Sequence, residues 1–457
     1  MKKGVKMGLI TATAVLFLAG CSDSVEFGPV PTITPRPMPT TAPVVTQPVE
    51  KTEEEEKTLT LAEQKKFKEQ YTQTGELPKL YEQYKDYFSM GVMVSKEELE
   101  DEKRQALVKE QFNVVSCRSE LSPANIMDYE ATKASKDLSK AVLDFSGADA
   151  ILSFAQKNGL AVRGPVLISH GTPSWFFTKN FSEDEVTIVT DDAGTETETV
   201  EYASEEVILT RMENYIKEVI TYCNTNYPDL VVSWDVLSDA INAQENAEKQ
   251  YRVSSHWYRS LGEAYFLKSF EFAAKYATEK QTLFYCDDLM WERTTREAAQ
   301  ALINLLKEGG NITGVASLSH YNTRTPNVFS IEDMFKMLQG TGLEIHMSNF
   351  YVDTLTSSLE DYDTTTEEFL ESSVKRYKNL MTALIKSETS GKSDVTMIEF
   401  ESLSDDVSSL NQPKEYTDHI TGEVMFGVDV PSYPVLFDEN LQPKDAYFGA
   451  VLDADIK

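Results

Sequence analysis

The sequence predicts an α/β fold, a (β/α)8 barrel (TIM barrel), and three observations carry that prediction. Eight short apolar segments recur along the chain, amphipathic helical patterns separate most of them, and all fall within one stretch the size of a large single domain. A doubly wound open sheet is the competing arrangement of the same alternation. With 41% hydrophobic and 26% charged residues, the 457-residue chain is not wholly disordered. The formal net charge of −31 argues against nucleic acid as a partner, because that binding relies on Lys and Arg neutralising phosphates. It leaves room for a neutral polymer such as a polysaccharide. Four cysteines are too few for a disulfide scaffold. No cofactor or metal ion is expected.

Residues 1–20 read as a lipoprotein signal peptide. Lys2, Lys3 and Lys6 form a positive n-region, and Met7–Leu18 is an apolar stretch too short for a good membrane span. Leu18-Ala19-Gly20-Cys21 resembles the lipobox of bacterial lipoproteins. That resemblance implies lipid on Cys21 and an extracytoplasmic body, anchored to the bacterial cell membrane at the cell surface. Residues 21–60 read as a tether. Seven prolines from Pro29 to Pro48, with Thr between them, favour an extended spacer, and the run Glu53–Glu56 adds self-repulsion.

Residues 61–457 carry the barrel pattern. Strand candidates lie at Met90–Ser95, Phe112–Cys117, Ala161–Ser169, Leu230–Ser238, Thr282–Asp287, Gly314–Ser319, Leu343–Ser348 and Val395–Glu401. Over Glu206–Asn224, residues Ile208, Met212, Tyr215, Ile216, Val219, Ile220 and Cys223 fall on one helical stripe. Asn226-Tyr227-Pro228-Asp229 stops that helix, and the near-continuous apolar run Leu230–Leu237 suits a strand covered on both faces. Further helices are predicted at Tyr258–Ala277, Thr295–Glu308 and Thr366–Lys386. The acidic, Thr-rich stretch Ser182–Ser204 predicts a hairpin turning at Asp191-Asp192-Ala193-Gly194.

Barrel chemistry sits at the C-terminal ends of strands, and several of those ends carry a resemblance. Arg163-Gly164-Pro165-Val166-Leu167-Ile168-Ser169-His170, followed by Thr172-Pro173-Ser174-Trp175-Phe176, is similar to the R-G-H-T-L-V-W-H…T-P-x-W-F stretch of family 10 glycoside hydrolases, the xylanases. Arg211-Met212-Glu213-Asn214-Tyr215-Ile216 and Trp234-Asp235-Val236-Leu237-Ser238-Asp239-Ala240 resemble the family's R-M-E-N-Y-I and W-D-V-V-N-E-A. Gly342–Asn349 resembles its G-L-E-V-H-I-T-E, and Leu403–Asp406 and Leu436–Asn440 its last strand and loop. The ordered match runs from about Tyr81 to Leu452.

The resemblance implies a retaining endo-1,4-β-xylanase fold, with one Glu as acid/base and a second as nucleophile about 5 Å apart. The sequence departs from that pattern. Asp239 falls on the acid/base position and Asn349 on the nucleophile position. The family's E-N-E-M-K run falls on Arg118-Ser119-Glu120-Leu121-Ser122, its histidine after R-G on Pro165, a tryptophan on Ser169, and the final-strand tryptophan on Glu401. Glu120, His170, Trp175, His320 and His346 are kept. An amide has no anionic oxygen, so Asn349 cannot form a glycosyl ester. Losing one member of a catalytic unit costs roughly 10³–10⁶ in rate, or about 4–8 kcal/mol of barrier.

Each candidate has a plainer alternative. Asp239 is either a retained general acid or a carboxylate left without a role. Asn349 is a sugar-binding amide or a structural one. Trp175 offers a ring for sugar stacking or packs a loop base, while Trp234, Trp257 and Cys223 read as core and His346 as a satisfied structural histidine. His170 and His320 match the family spacing and no metal motif. Cys117 and Cys286 lie at strand ends on one barrel face, and a bond between them needs Cα atoms about 4.4–6.8 Å apart.

Three functions compete. In the first, a surface-anchored, xylanase-like barrel binds plant cell-wall β-glycan, xylan or xylo-oligosaccharide, through Glu120, His170, Trp175, His320 and Glu401, with hydrolysis lost or strongly impaired. In the second, an active glycosidase uses Asp239 with Glu401 or Glu120. In the third, the chain is a protein-interaction lipoprotein.

Overall fold

The computed structural model describes residues 68–451, apart from 70, 72–73, 191–195, 243, 247, 291–292, 355–365, 413, 418–423 and 428–431. The predicted signal peptide, the whole predicted tether with Cys21, and the predicted turn at 191–194 lie outside the described residues.

Eight parallel strands close into a barrel: β1 (Ser89–Val94), β2 (Val114–Cys117), β3 (Ala161–Ile168), β4 (Val231–Ser238), β5 (Thr282–Asp287), β6 (Gly314–Asn322), β7 (Glu344–Asp353) and β8 (Val395–Phe400). Each pairs with its neighbour in sequence, and β8 pairs with β1 to complete the ring. Helices follow the strands: α1 (Glu102–Gln111), α2 (Ser146–Asn158), α3 (Glu205–Asn226), α4 (Ala264–Tyr276), α5 (Arg293–Gly309), α6 (Val328–Leu338), α7 (Thr366–Thr389) and α8 (Asp445–Ala450). The open-sheet alternative is excluded by this closure.

The predicted stripe of α3 is buried at Ile208, Met212, Ile216, Val219, Ile220 and Cys223. Each fully buried Ile or Val there stabilises the fold by about 1.5–3 kcal/mol. Ser204 caps the helix by accepting from the Val207 amide. The helix predicted over Tyr258–Ala277 is instead two, His256–Leu261 and α4. Gly262 between them has φ +56°, which ends the first helix at little steric cost. A hairpin pairs Val186–Thr190 with Glu196–Val200, inside the predicted stretch.

Trp234 and Trp257 are core residues, as expected. Gly164 makes room for the first, since a Cβ there would lie 2.5 Å from the indole. The barrel interior also holds charge. Arg163 of β3 bonds Asp235 of β4 and Glu399 of β8, all three buried. Burial pushes the Asp235 carboxyl up to about 6, with Arg163 opposing and Glu399 adding to the rise. His346 is buried there too, stacked on Phe284 at 3.9 Å, but it is not satisfied: its Nδ1 has no partner among the described residues. Burial, with Arg163 nearby, drives that ring to its neutral form. Cys117 and Cys286 are both buried and free, so no bond joins them.

Candidate functional site

Strands β6 and β7 run further than predicted, to Asn322 and Asp353, and the extra residues carry the site. The β6–β7 register shifts between Leu318 and His320, and the β7–β8 register shifts between Met347 and Phe350. These irregularities re-aim side chains at the rim, beyond the apolar runs from which the strands were predicted. Asn349 sits in the second one with φ +51°, and Asp239, just past β4, has φ +54°. Asn and Asp tolerate this left-handed backbone better than most residues.

A cavity of about 720 Å³ opens at this end of the barrel, lined by His320, Asn349, Glu401, Arg118, Glu98 and Tyr351, among others. Three of the predicted residues, His320, Asn349 and Glu401, thus converge. The Glu401 amide donates to the Phe350 carbonyl at 3.2 Å, which ties the end of β8 to the Asn349 bulge. His320 stacks on Tyr351 at 4.9 Å. Burial lowers the His320 pKa, while the charges of Glu401 and Asp239 oppose the drop.

Asp239 and His170 form a separate pair beside the cavity. His170 Nδ1 lies 3.2 Å from Asp239 Oδ2, and the His170 side chain is 51% exposed. Burial would raise the Asp239 carboxyl, but the bond and charge of His170, helped by Arg252 and His320, hold it below its usual range. A general acid needs the opposite shift.

Besides His170, two predicted binding residues do not line the cavity. Trp175 is only 6% exposed, with Tyr129 at 5.2 Å and Phe181 at 5.9 Å against its ring, so it packs a loop base and offers no open platform. Glu120 is buried, and its two oxygens accept from the amides of Lys96 at 2.7 Å and Ser119 at 3.0 Å. Its carboxylate ties the loop after β1 to the loop after β2.

Sequence reasoning missed Glu98. Arg118, just past β2, donates to Glu98 Oε1 at 2.8 Å and to the Glu401 carbonyl at 3.0 Å, and lies 3.5 Å from Glu401 Oε1. Burial raises the Glu98 carboxyl, with Arg118 opposing. A signal was present: Arg118 and Glu401 are departures of opposite sign, and β2 and β8 both flank β1. Arg104 donates to Ser404 at 2.7 Å and Asp406 at 2.6 Å on the same rim. Phe329, the second residue of α6, is 73% exposed on the helix that follows β6. Among the described residues no group of three His, Cys, Asp or Glu side chains is placed to hold a metal ion.

The model of glycosyl hydrolase family 10 matches residues 79–454. The chain belongs to that family. Among its relatives, endo-1,4-beta-xylanase B of Butyrivibrio fibrisolvens is 30% identical over 378 residues, covering 82% of this chain and 52% of the relative. The chain therefore spans about half the length of that protein. Beta-1,4-xylanase of Dictyoglomus thermophilum is 30% identical over 380 residues, covering 82% of this chain and 91% of the relative. The crystal structure of xylanase B from Clostridium stercorarium F9 superposes with a TM-score of 0.65 at 25% identity, covering 82% of this chain and 99% of the other. The rim just described lies at the C-terminal ends of the barrel strands, where barrel folds place their chemistry.

Proposed function

We propose that this family 10 barrel binds plant β-glycan, xylan or xylo-oligosaccharide, and hydrolyses it weakly or not at all. One observation carries the reading. Asn349, which the family motif would set at the nucleophile position, lines the cavity, and no glycosyl ester can form on its amide. The lowered carboxyl of Asp239 supports the same reading from the acid/base side. The alternative carboxylate pairs gain no support, because Glu120 is held by two amides and Glu401 by Arg118 and the Ser409 amide. Relatives named as xylanases make xylan the natural ligand class.

Calorimetry with xylohexaose, run beside reducing-sugar release from xylan, tests both halves. Binding is expected with hydrolysis at least about a thousandfold below an active family member. Asn349→Glu combined with Asp239→Glu is expected to return little of that rate, because the positioning residues remain exchanged. Strong hydrolysis by the native protein, abolished by Asp239→Ala, would establish an active glycosidase instead. Absence of binding to any plant β-glycan would leave an interaction lipoprotein.

The same proposal places the barrel outside the cytoplasm, with residues 1–20 as signal, 21–60 as tether and lipid on Cys21 as the membrane anchor. Cys21→Ala should release the protein from the membrane fraction or leave it as uncleaved precursor. Unchanged fractionation and mass would refute the anchor.

A further inference from the structure

The hairpin between β3 and α3 forms a two-stranded sheet apart from the barrel. Its second strand, Glu196–Val200, is tied to the body. The Glu198 carboxylate lies 3.0 Å from His256 Nε2, and just past the strand the Lys179 amide donates to the Glu201 carbonyl at 3.2 Å. Thr178 and Tyr202 pair beside it. The first strand, Val186–Thr190, has no strand on its other side among the described residues. Residues Thr187 to Thr190 are all exposed, Ile188 at 62% and Val189 at 55%.

That free edge is built to pair. The Glu201 amide donates to the Glu185 carbonyl at 2.9 Å, and the ladder alternates from there, so Val186, Ile188 and Thr190 turn their N–H and C=O groups outward. All five residues, V-T-I-V-T, are β-branched and uncharged. Edge strands in solvent are commonly protected by Lys, Pro or a bulge, and this one has none of them. The charge lies at its ends: Glu183-Asp184-Glu185 precede it and Asp191-Asp192 follow it in sequence. A second copy pairing antiparallel about Ile188 would set acidic flank against acidic flank, which disfavours it. An extended segment with Lys or Arg on both sides of an uncharged stretch meets both ends with opposite charge.

We infer that the free edge of Val186–Thr190 takes an extended segment of another protein as a third strand, one with an uncharged, β-branched centre and basic flanks. The outward backbone groups supply the pairing, and the acidic flanks select and position the segment. A two-stranded ribbon is marginal in water on its own, and the His256 and Lys179 contacts hold this one in place to present its edge. No residue of the hairpin lines the cavity, so the inference stands apart from the glycan reading.

The test is fluorescence anisotropy on the full-length protein with three labelled peptides: KKTVTVTKK, the same peptide N-methylated at alternate backbone nitrogens, and EETVTVTEE. At about 20 mM salt the first should bind at least about tenfold more tightly than either of the others, and its margin over EETVTVTEE should shrink at about 500 mM. Ile188→Pro removes an outward N–H without taking a donor from the hairpin ladder, and should weaken binding at least about fivefold. If circular dichroism shows that variant unfolded, the N-methylated peptide decides on the native protein. No binding of KKTVTVTKK would overturn the inference. So would equal binding of its N-methylated form, or unchanged binding to folded Ile188→Pro, since either shows only a basic peptide drawn to an acidic protein. Dimerisation of the native protein in sedimentation, lost in Ile188→Pro, would give the edge to a second copy and overturn it as well.

Discussion

Two clusters in this barrel share one chemistry, an arginine between two carboxylates. In the interior, Arg163 holds Asp235 and Glu399, and all three are buried. On the rim, Arg118 holds Glu98 and Glu401, but its own side chain is 23% exposed and a cavity opens against the group. The interior cluster joins β3, β4 and β8 across the barrel, enclosed by the packed core. The rim cluster closes the gap between the ends of β2 and β8, and each cluster leaves one oxygen of each of its two carboxylates without a partner among the described residues. Identical ion-pair chemistry therefore serves packing in one place and a candidate binding wall in the other. Solvent access and the adjacent cavity make the difference.

The sharpest way to break the comparison is to remove each arginine. Arg163→Met strands two buried carboxylates, and urea denaturation should show a loss of about 3–5 kcal/mol. A loss under about 1 kcal/mol would mean that the interior cluster is not a structural unit. The pH dependence offers the next test. A carboxyl whose pKa is raised in the folded state takes up its proton there before the unfolded chain does. Asp235, raised to about 6 by burial, therefore favours folding at low pH, and its contribution fades as pH climbs from about 4 to about 6. Its share of that decline is on the order of 3 kcal/mol, and Asp235→Asn should flatten it in denaturation curves taken across that window. An unchanged slope would assign the decline to other groups. The smallest stability effect belongs to the rim. Arg118→Met should cost about 1 kcal/mol, because partial exposure lets water replace the lost partner. It should weaken glycan binding in calorimetry by more than Arg163→Lys does, and the reverse order would erase the distinction between the clusters.

Much of the fold was legible. All eight strands lie where apolar runs predicted them, because a strand covered on both faces leaves a local signature in composition. The long helix α3 was legible for the same reason, its stripe being a local periodicity. Helix α4 was less so: Gly262 lies inside an apparently continuous pattern, and its positive φ is a choice made by the surrounding packing. At the site, the positions of His320, Asn349 and Glu401 followed from ordered motifs. Their convergence did not, since it depends on the bulges in β6 and β7. Trp175 shows the limit most plainly. Its ring suits stacking in any sequence, yet Tyr129 and Phe181 cover it here.

By itself the sequence determined the alternation of strand and helix, the family motifs and the amide at position 349. These are local properties: periodicity, residue chemistry and spacing along the chain. Tertiary structure alone decided which charges meet. Arg118 and Glu401 are 283 positions apart, and Arg163 and Glu399 are 236 apart. Only closure of the barrel, with β8 against β1, brings the first pair to the rim and the second into the interior. Burial then decides the chemistry, because the same carboxylate is a structural charge when enclosed with its partners and an acceptor for ligand when a cavity opens beside it.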